Sequence, residues 1–149
     1  VSTGQLVERV VDVVSFDVER GKVREFARAT FAEDTVHVDR DDAVARGHAD
    51  VVATPTYVVV SLHYRDQREW VARLGLDITR VVVGSVRWTY RRPMVIGDRI
   101  FGTRRVVADE RKPGTGGELR VLTLRTDFVD ATGQVVVTEE DVVIERPAA

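Results

Sequence analysis

From residue 80 onward the chain alternates apolar and polar side chains in four stretches separated by turn signals. A period of two sends successive side chains to opposite faces of a strand. In the stretch 119–130, Leu122, Leu124 and Phe128 fall on one face, and Thr123, Arg125 and Asp127 on the other. Strands of this kind bury one face only, and short connections between them make the sheet antiparallel. Valine supplies about a fifth of the chain, and its branched Cβ suits a pleated surface. The strands are predicted at Arg80–Tyr90, Arg99–Glu110, Leu119–Asp130 and Val135–Ile144. Pro113-Gly114-Thr115-Gly116-Gly117 reads as a flexible hairpin loop, and Ala131-Thr132-Gly133 as a short hairpin connection.

The first half has a different period. After a strand at Val10–Phe16, Asp17 is expected to cap a helix over residues 19–30, with Val23, Phe26, Ala27 and Thr30 at helical spacing. Residues 31–38 carry mixed signals. Asp39 is expected to cap a short helix, Arg40–Arg46, that stops at Gly47. Pro55 opens a longer helix whose stripe is Val59, Leu62, Trp70 and Leu74 and whose end is Gly75. At roughly 18 residues it exceeds the average globular helix. Helices first and strands after give an α+β chain, with the long helix covering one face of the sheet.

Composition narrows the function. A chain of 149 residues fits one domain, residues 1–149, with a sizeable core. Twenty-two basic and 24 acidic residues leave a net charge of −2, so there is no bulk positive field for nucleic acid. The absence of cysteine removes disulfides, thiolate metal sites and cysteine nucleophiles, and fits a reducing, cytoplasmic setting. No stretch reaches membrane-spanning length, and Glu8 and Arg9 interrupt the apolar run a signal peptide needs. No His-Glu-x-x-His pattern accompanies His48 or His63, and no Gly-x-Ser-x-Gly elbow surrounds Ser15, Ser61 or Ser85, so neither a metal nor a serine nucleophile is expected.

Three phrases, in order, carry a family resemblance. Val18-Glu19-Arg20-Gly21-Lys22-Val23-Arg24-Glu25-Phe26-Ala27-Arg28-Ala29 resembles the opening of the MaoC-like dehydratase domains, in the branch named after the type I fatty acid synthase dehydratase. Val51-Val52-Ala53-Thr54-Pro55-Thr56-Tyr57 is similar to that family's entry into its central helix. Tyr90-Arg91-Arg92-Pro93-Met94-Val95-Ile96-Gly97-Asp98 is similar to its inter-strand turn. The likeness runs over about residues 10–145 and is greatest to accessory subunits of 3-hydroxyacyl-thioester dehydratases. It implies a hot-dog fold, a curled antiparallel sheet around a long central helix. It also implies an (R)-type enoyl-CoA hydratase or 3-hydroxyacyl-thioester dehydratase, a lyase of fatty acid or lipid metabolism. Such an enzyme needs no cofactor, because the acyl-CoA or acyl-carrier-protein substrate brings its own coenzyme A or phosphopantetheine.

The family's hydratase motif is an Asp, then Asn-Pro, then a His often followed by one residue and an Asp. Its Asp and His act as a general acid–base pair on one water, so both must lie within hydrogen-bond reach of it. The matching stretch here is Ala32-Glu33-Asp34-Thr35-Val36-His37-Val38-Asp39. His37 takes the position of the catalytic histidine, but Ala32 stands where the catalytic Asp belongs, Asp34 replaces Asn and Thr35 replaces Pro. Alanine cannot exchange a proton. The resemblance therefore implies an accessory acyl-binding role in a homodimer, or in a heterodimer with a motif-intact MaoC-like subunit.

Each candidate has a plainer reading beside it. His37 is a candidate catalytic residue or a capping histidine. Glu33 and Asp34 are surrogate acids or solvated surface. Asp39 is most simply a helix cap. Tyr57 is a candidate substrate-binding residue at the start of the central helix, or core. Arg91 and Arg92, with Arg87, could meet the phosphates of the carrier arm, or form a solvated strip. Three rival functions remain: a self-sufficient homodimeric hydratase using His37, a hot-dog thioesterase using Asp66 or Glu69, and a non-catalytic acyl-binding protein.

Overall fold

The computed structural model describes residues 6–148; residues 1–5, half of the stretch weighed as a signal peptide, and Ala149 lie outside the described residues. Five strands, β1 (Val10–Asp17), β2 (Val81–Tyr90), β3 (Arg99–Gly114), β4 (Gly117–Val129) and β5 (Val135–Glu145), form one antiparallel sheet in the order β1-β3-β4-β5-β2. Helices α1 (Arg20–Ala29), α2 (Arg40–Ala45) and α3 (Gln67–Arg73) lie between β1 and β2 in the chain, with 3-10 turns at Thr35–His37 and Tyr57–Tyr64. The register slips at Val83/Ser85, Val106/Ala108 and Phe128/Val129, and bulges of this kind bend and twist a sheet. This is the curled α+β hot-dog arrangement.

The alternation read from β4 is realised: Leu122, Leu124 and Phe128 are fully buried, while Arg125 is exposed. They belong to two apolar clusters. Phe128, Phe16, Tyr57, Val58, Met94 and Ile100 fill one end. Leu122, Leu124, Trp70, Val71, Leu74 and Val106 fill the other. Gly102 lets β3 pass close to its neighbours, since a Cβ there would lie 2.7 Å from the Phe128 ring and 3.1 Å from Val14.

The structure departs from the sequence reading at three places. Strand β1 runs through Asp17, so the first position before α1 is Glu19, whose side chain makes no cap bond. Strands β3 and β4 pair up to Gly114 and Gly117, which leaves a tight Thr115-Gly116 turn in place of a flexible loop. The central helical segment is in two pieces, the 3-10 helix Tyr57–Tyr64 and α3. Arg65 between them is extended at φ −114° and ψ 140°, and the Asp66 side chain restarts the helix by accepting from the Glu69 amide at 2.9 Å. The stripe counted from one period therefore spans a break.

Candidate active-site cleft

The segment 31–55 is held by a few backbone hydrogen bonds and one isolated bridge, Val52 to Val95. The Val52 amide donates to the Val36 carbonyl at 3.1 Å, Ala53 to Met94 at 2.9 Å, and Ile96 to Val51 at 3.0 Å. Asp34 caps the turn that carries His37, accepting from the Val36 amide at 3.1 Å. The His37 ring is half-buried, with Nδ1 2.7 Å from the Val52 carbonyl. A carbonyl only accepts, so Nδ1 carries the proton. In the neutral ring Nε2 is then the basic nitrogen, as a general base requires.

His37 opens on a cleft of about 480 Å³ shared with Asp34, Pro55, Tyr90, Arg91 and Arg92. The structure thus brings His37, Arg91 and Arg92 together. Arg91 is exposed, and its side chain makes no hydrogen bond or ion pair among the described residues. Arg92 is engaged elsewhere: its guanidinium pairs with Asp98 at 2.7 Å and Asp130 at 3.1 Å, and these carboxylates raise its pKa, Asp98 foremost. It ties two turns together. Tyr57 does not line the cleft. It is fully buried, its ring edge-on to Phe26 at 5.6 Å, and burial pushes its phenol up to about 12. Tyr90 does line it, and its hydroxyl donates to the Pro55 carbonyl.

Among the described residues, no free carboxylate stands beside His37. Ala32 lies at the end of α1, its amide bonded to the Ala27 carbonyl at 2.9 Å. Glu33 is exposed and does not line the cleft. Asp34 lines it, but its carboxylate is paired with Arg46 at 2.9 Å as well as with the Val36 amide. Asp39 caps α2, accepting from the Asp42 amide at 3.1 Å. At the central segment, Asp66 is the cap of α3 and Glu69 pairs with Arg73 on the exposed surface.

A second cavity, of about 240 Å³, lies further along β2, between the central segment and β5. Val59, Leu62, Val86 and Trp88 are among its walls, and Arg65, Arg104, Glu139 and Asp141 give it polar groups. The sequence reading missed these four. They come from three separate places in the chain, Arg65, Arg104 and strand β5, with no motif spacing to join them.

Comparison with known proteins follows this geometry. Residues 5–139 match the FAS1-like dehydratase domain region. The chain belongs to that family. A UPF0336 protein of Streptomyces griseus is 39% identical over 136 residues, covering 90% of this chain and 87% of that protein. Another, from Clavibacter michiganensis, is 41% identical over 131 residues, covering 87% and 85%. Among solved structures, the HadBC (3R-hydroxyacyl-ACP dehydratase) complex from Mycobacterium tuberculosis superposes with a TM-score of 0.78 at 18% identity, covering 96% of this chain and 99% of that one. A MaoC-like dehydratase reaches 0.79 at 24% identity, covering 94% of this chain and 43% of that one. These structures share the hot-dog fold of the MaoC-like dehydratases and hydratases. No helix among the described residues is long and apolar enough to cross a membrane.

Proposed function

We propose that this chain is the acyl-thioester-binding, accessory subunit of an (R)-type enoyl-thioester hydratase or 3-hydroxyacyl-thioester dehydratase. The observation that carries the reading is a histidine without its carboxylate. His37 is oriented as a base by Val52, yet Ala32 occupies the acid's motif position and Asp34 is held by Arg46. Hydration of an enoyl double bond needs both a proton donor and an acceptor on one water. The other half is assigned to a partner of the same fold with an intact motif. Arg91, exposed at the rim and unpaired among the described residues, is assigned to the phosphates of coenzyme A or phosphopantetheine.

The edge strand β2 is the face assigned to the partner. One of its edges pairs with β5, and the other bonds to no strand among the described residues. Val82, Val83 and Val86 on it are 40%, 65% and 41% exposed. A long, apolar, open strand edge is a template for pairing with another chain.

Enoyl-CoA hydration by the purified chain, and by its complex with a co-expressed motif-intact hot-dog protein, tests this. The chain alone is expected to be inactive and the complex active, with His37→Ala in the complex costing far less than loss of the partner's motif histidine. Hydration by the chain alone that disappears in His37→Ala would overturn the accessory role and make this a self-sufficient homodimeric hydratase.

A further inference from the structure

Helix α1 ends on a residue that suits neither its backbone nor its surroundings. The C-cap is Thr30, and the chain then turns through Phe31 at φ +54°. The Phe31 amide donates to the Arg28 carbonyl at 3.2 Å, and the Ala32 amide to the Ala27 carbonyl at 2.9 Å, which is the paired stop that follows a left-handed residue. Glycine takes this position without steric cost, whereas a phenylalanine there strains the backbone. The strain gains nothing in packing: Phe31 is 88% exposed, and no other large apolar side chain among the described residues exceeds 65%. The charges of the same helix are uneven. Arg20 pairs with Asp50 at 2.8 Å, and Lys22 with Glu19 at 3.3 Å and with the Tyr64 hydroxyl at 2.6 Å. Arg24 and Arg28, four residues apart and so on one face, are exposed, and their side chains make no ion pair or hydrogen bond among the described residues.

We propose that this end of α1 docks an acidic protein, the carrier that presents the acyl thioester, with Phe31 entering an apolar pocket on it and Arg24 and Arg28 meeting its carboxylates. The proposal rests on the acyl-thioester reading of the His37 cleft and deepens it: the thioester arrives on a protein and not on free coenzyme A. Backbone strain that the fold itself does not use is kept where a contact uses it. An exposed aromatic beside unpaired arginines has the composition of a binding hot spot. The place fits as well. Phe31 is three residues from Asp34 on the cleft wall, a span of at most about 10 Å, so a protein held here presents its arm close to His37 and Arg91. Charge decides the occupant. A second copy docked by this face across a two-fold axis would set arginine against arginine. An anionic membrane would meet Glu25 and Glu33, both exposed in the same stretch of chain.

The experiment is calorimetric titration of the purified chain with a bacterial acyl carrier protein in its phosphopantetheine form. It reads binding without catalysis. Hydration by the chain alone would therefore overturn the accessory role and leave this result standing. Saturable binding that weakens with added salt is expected. Phe31→Gly should weaken it about tenfold and at the same time raise the melting temperature, because the anchor and the backbone strain leave together. Arg24→Glu combined with Arg28→Glu should weaken it about tenfold or more with the melting temperature near wild type. Size-exclusion chromatography of Phe31→Gly should show the wild-type oligomeric state, and phosphatidylglycerol vesicles should not retain the chain. No saturable binding, unaltered binding in either variant, or a lower melting temperature in Phe31→Gly would each overturn the proposal. So would a changed oligomeric state, which makes Phe31 a subunit contact, or retention on vesicles that is lost in Phe31→Gly, which makes it a membrane contact.

Discussion

The His37 cleft and the Trp88 cavity share strand β2, yet they are assembled in opposite ways. The cleft draws its polar groups from neighbours in sequence. Asp34 and His37 belong to one turn, and Arg91 and Arg92 to one loop. They sit at or near the surface, and their partners are local or peripheral. The cavity draws Arg65 from the break in the central segment, Arg104 from β3, and Glu139 and Asp141 from β5, and behind it both arginines share Asp12 of β1. These groups are buried to different degrees and depend on one another. Short-range chemistry at a rim can be exchanged piecemeal. A charge cluster inside the fold cannot.

The largest test of that contrast is Asp12→Ala. It leaves Arg65 and Arg104 buried with no shared anion, and breaking a buried pair costs about 3–5 kcal/mol. Asp34→Ala on the cleft side removes a half-exposed ion pair and the cap of one short turn, and should cost about 1 kcal/mol. Urea denaturation of the two variants compares them directly, and equal losses would erase the distinction.

Next in size is a pH effect confined to the cavity. Asp141 has a folded-state pKa raised to about 7, from burial first and the charge of Glu139 second. Between about pH 4 and pH 7 the folded state therefore holds a proton that the unfolded state has released. The contribution is fully present below pH 4 and is lost as pH rises through 7. The melting temperature should fall over this range in the wild type, and Asp141→Asn should flatten that part of the profile. A variant whose profile keeps the wild-type slope would show that the cluster does not control it.

Smaller effects sharpen the picture of the central segment and the rim. Asp66→Ala removes the cap that restarts the helix after Arg65 and should cost about 1 kcal/mol in the same denaturation assay. Arg91→Ala should leave stability within about 0.5 kcal/mol of wild type, since the side chain is exposed and unpaired among the described residues. In the proposed complex with a motif-intact partner, the same substitution should raise the KM for enoyl-CoA while kcat stays near wild type. A change in kcat with KM fixed would move Arg91 out of the carrier-binding role.

Much of this was legible in the sequence because it is local. The strand β4 follows from the alternation of Leu122, Leu124 and Phe128. The short helix α2 follows from Asp39 as its cap and Gly47, at φ +90°, past its end. The phrase around His37 singles that residue out, and the structure sets it in the cleft. Tyr57 and Arg92 were harder. A tyrosine at the mouth of a helix gives no sign of whether it faces a channel or Phe26. An arginine in a turn gives no sign that Asp98 and Asp130 will both reach it.

The sequence by itself determined the periods and most of the turns, since each depends on residues a few positions apart. Only the tertiary structure decided where the central helix breaks and what lies beneath it. Arg65 pairs with Asp12, 53 residues earlier, and Arg104 meets the same carboxylate from 92 residues later. Such pairings exist only once the sheet has curled, because folding, and not chain order, brings those charges within reach while excluding the water that would screen them.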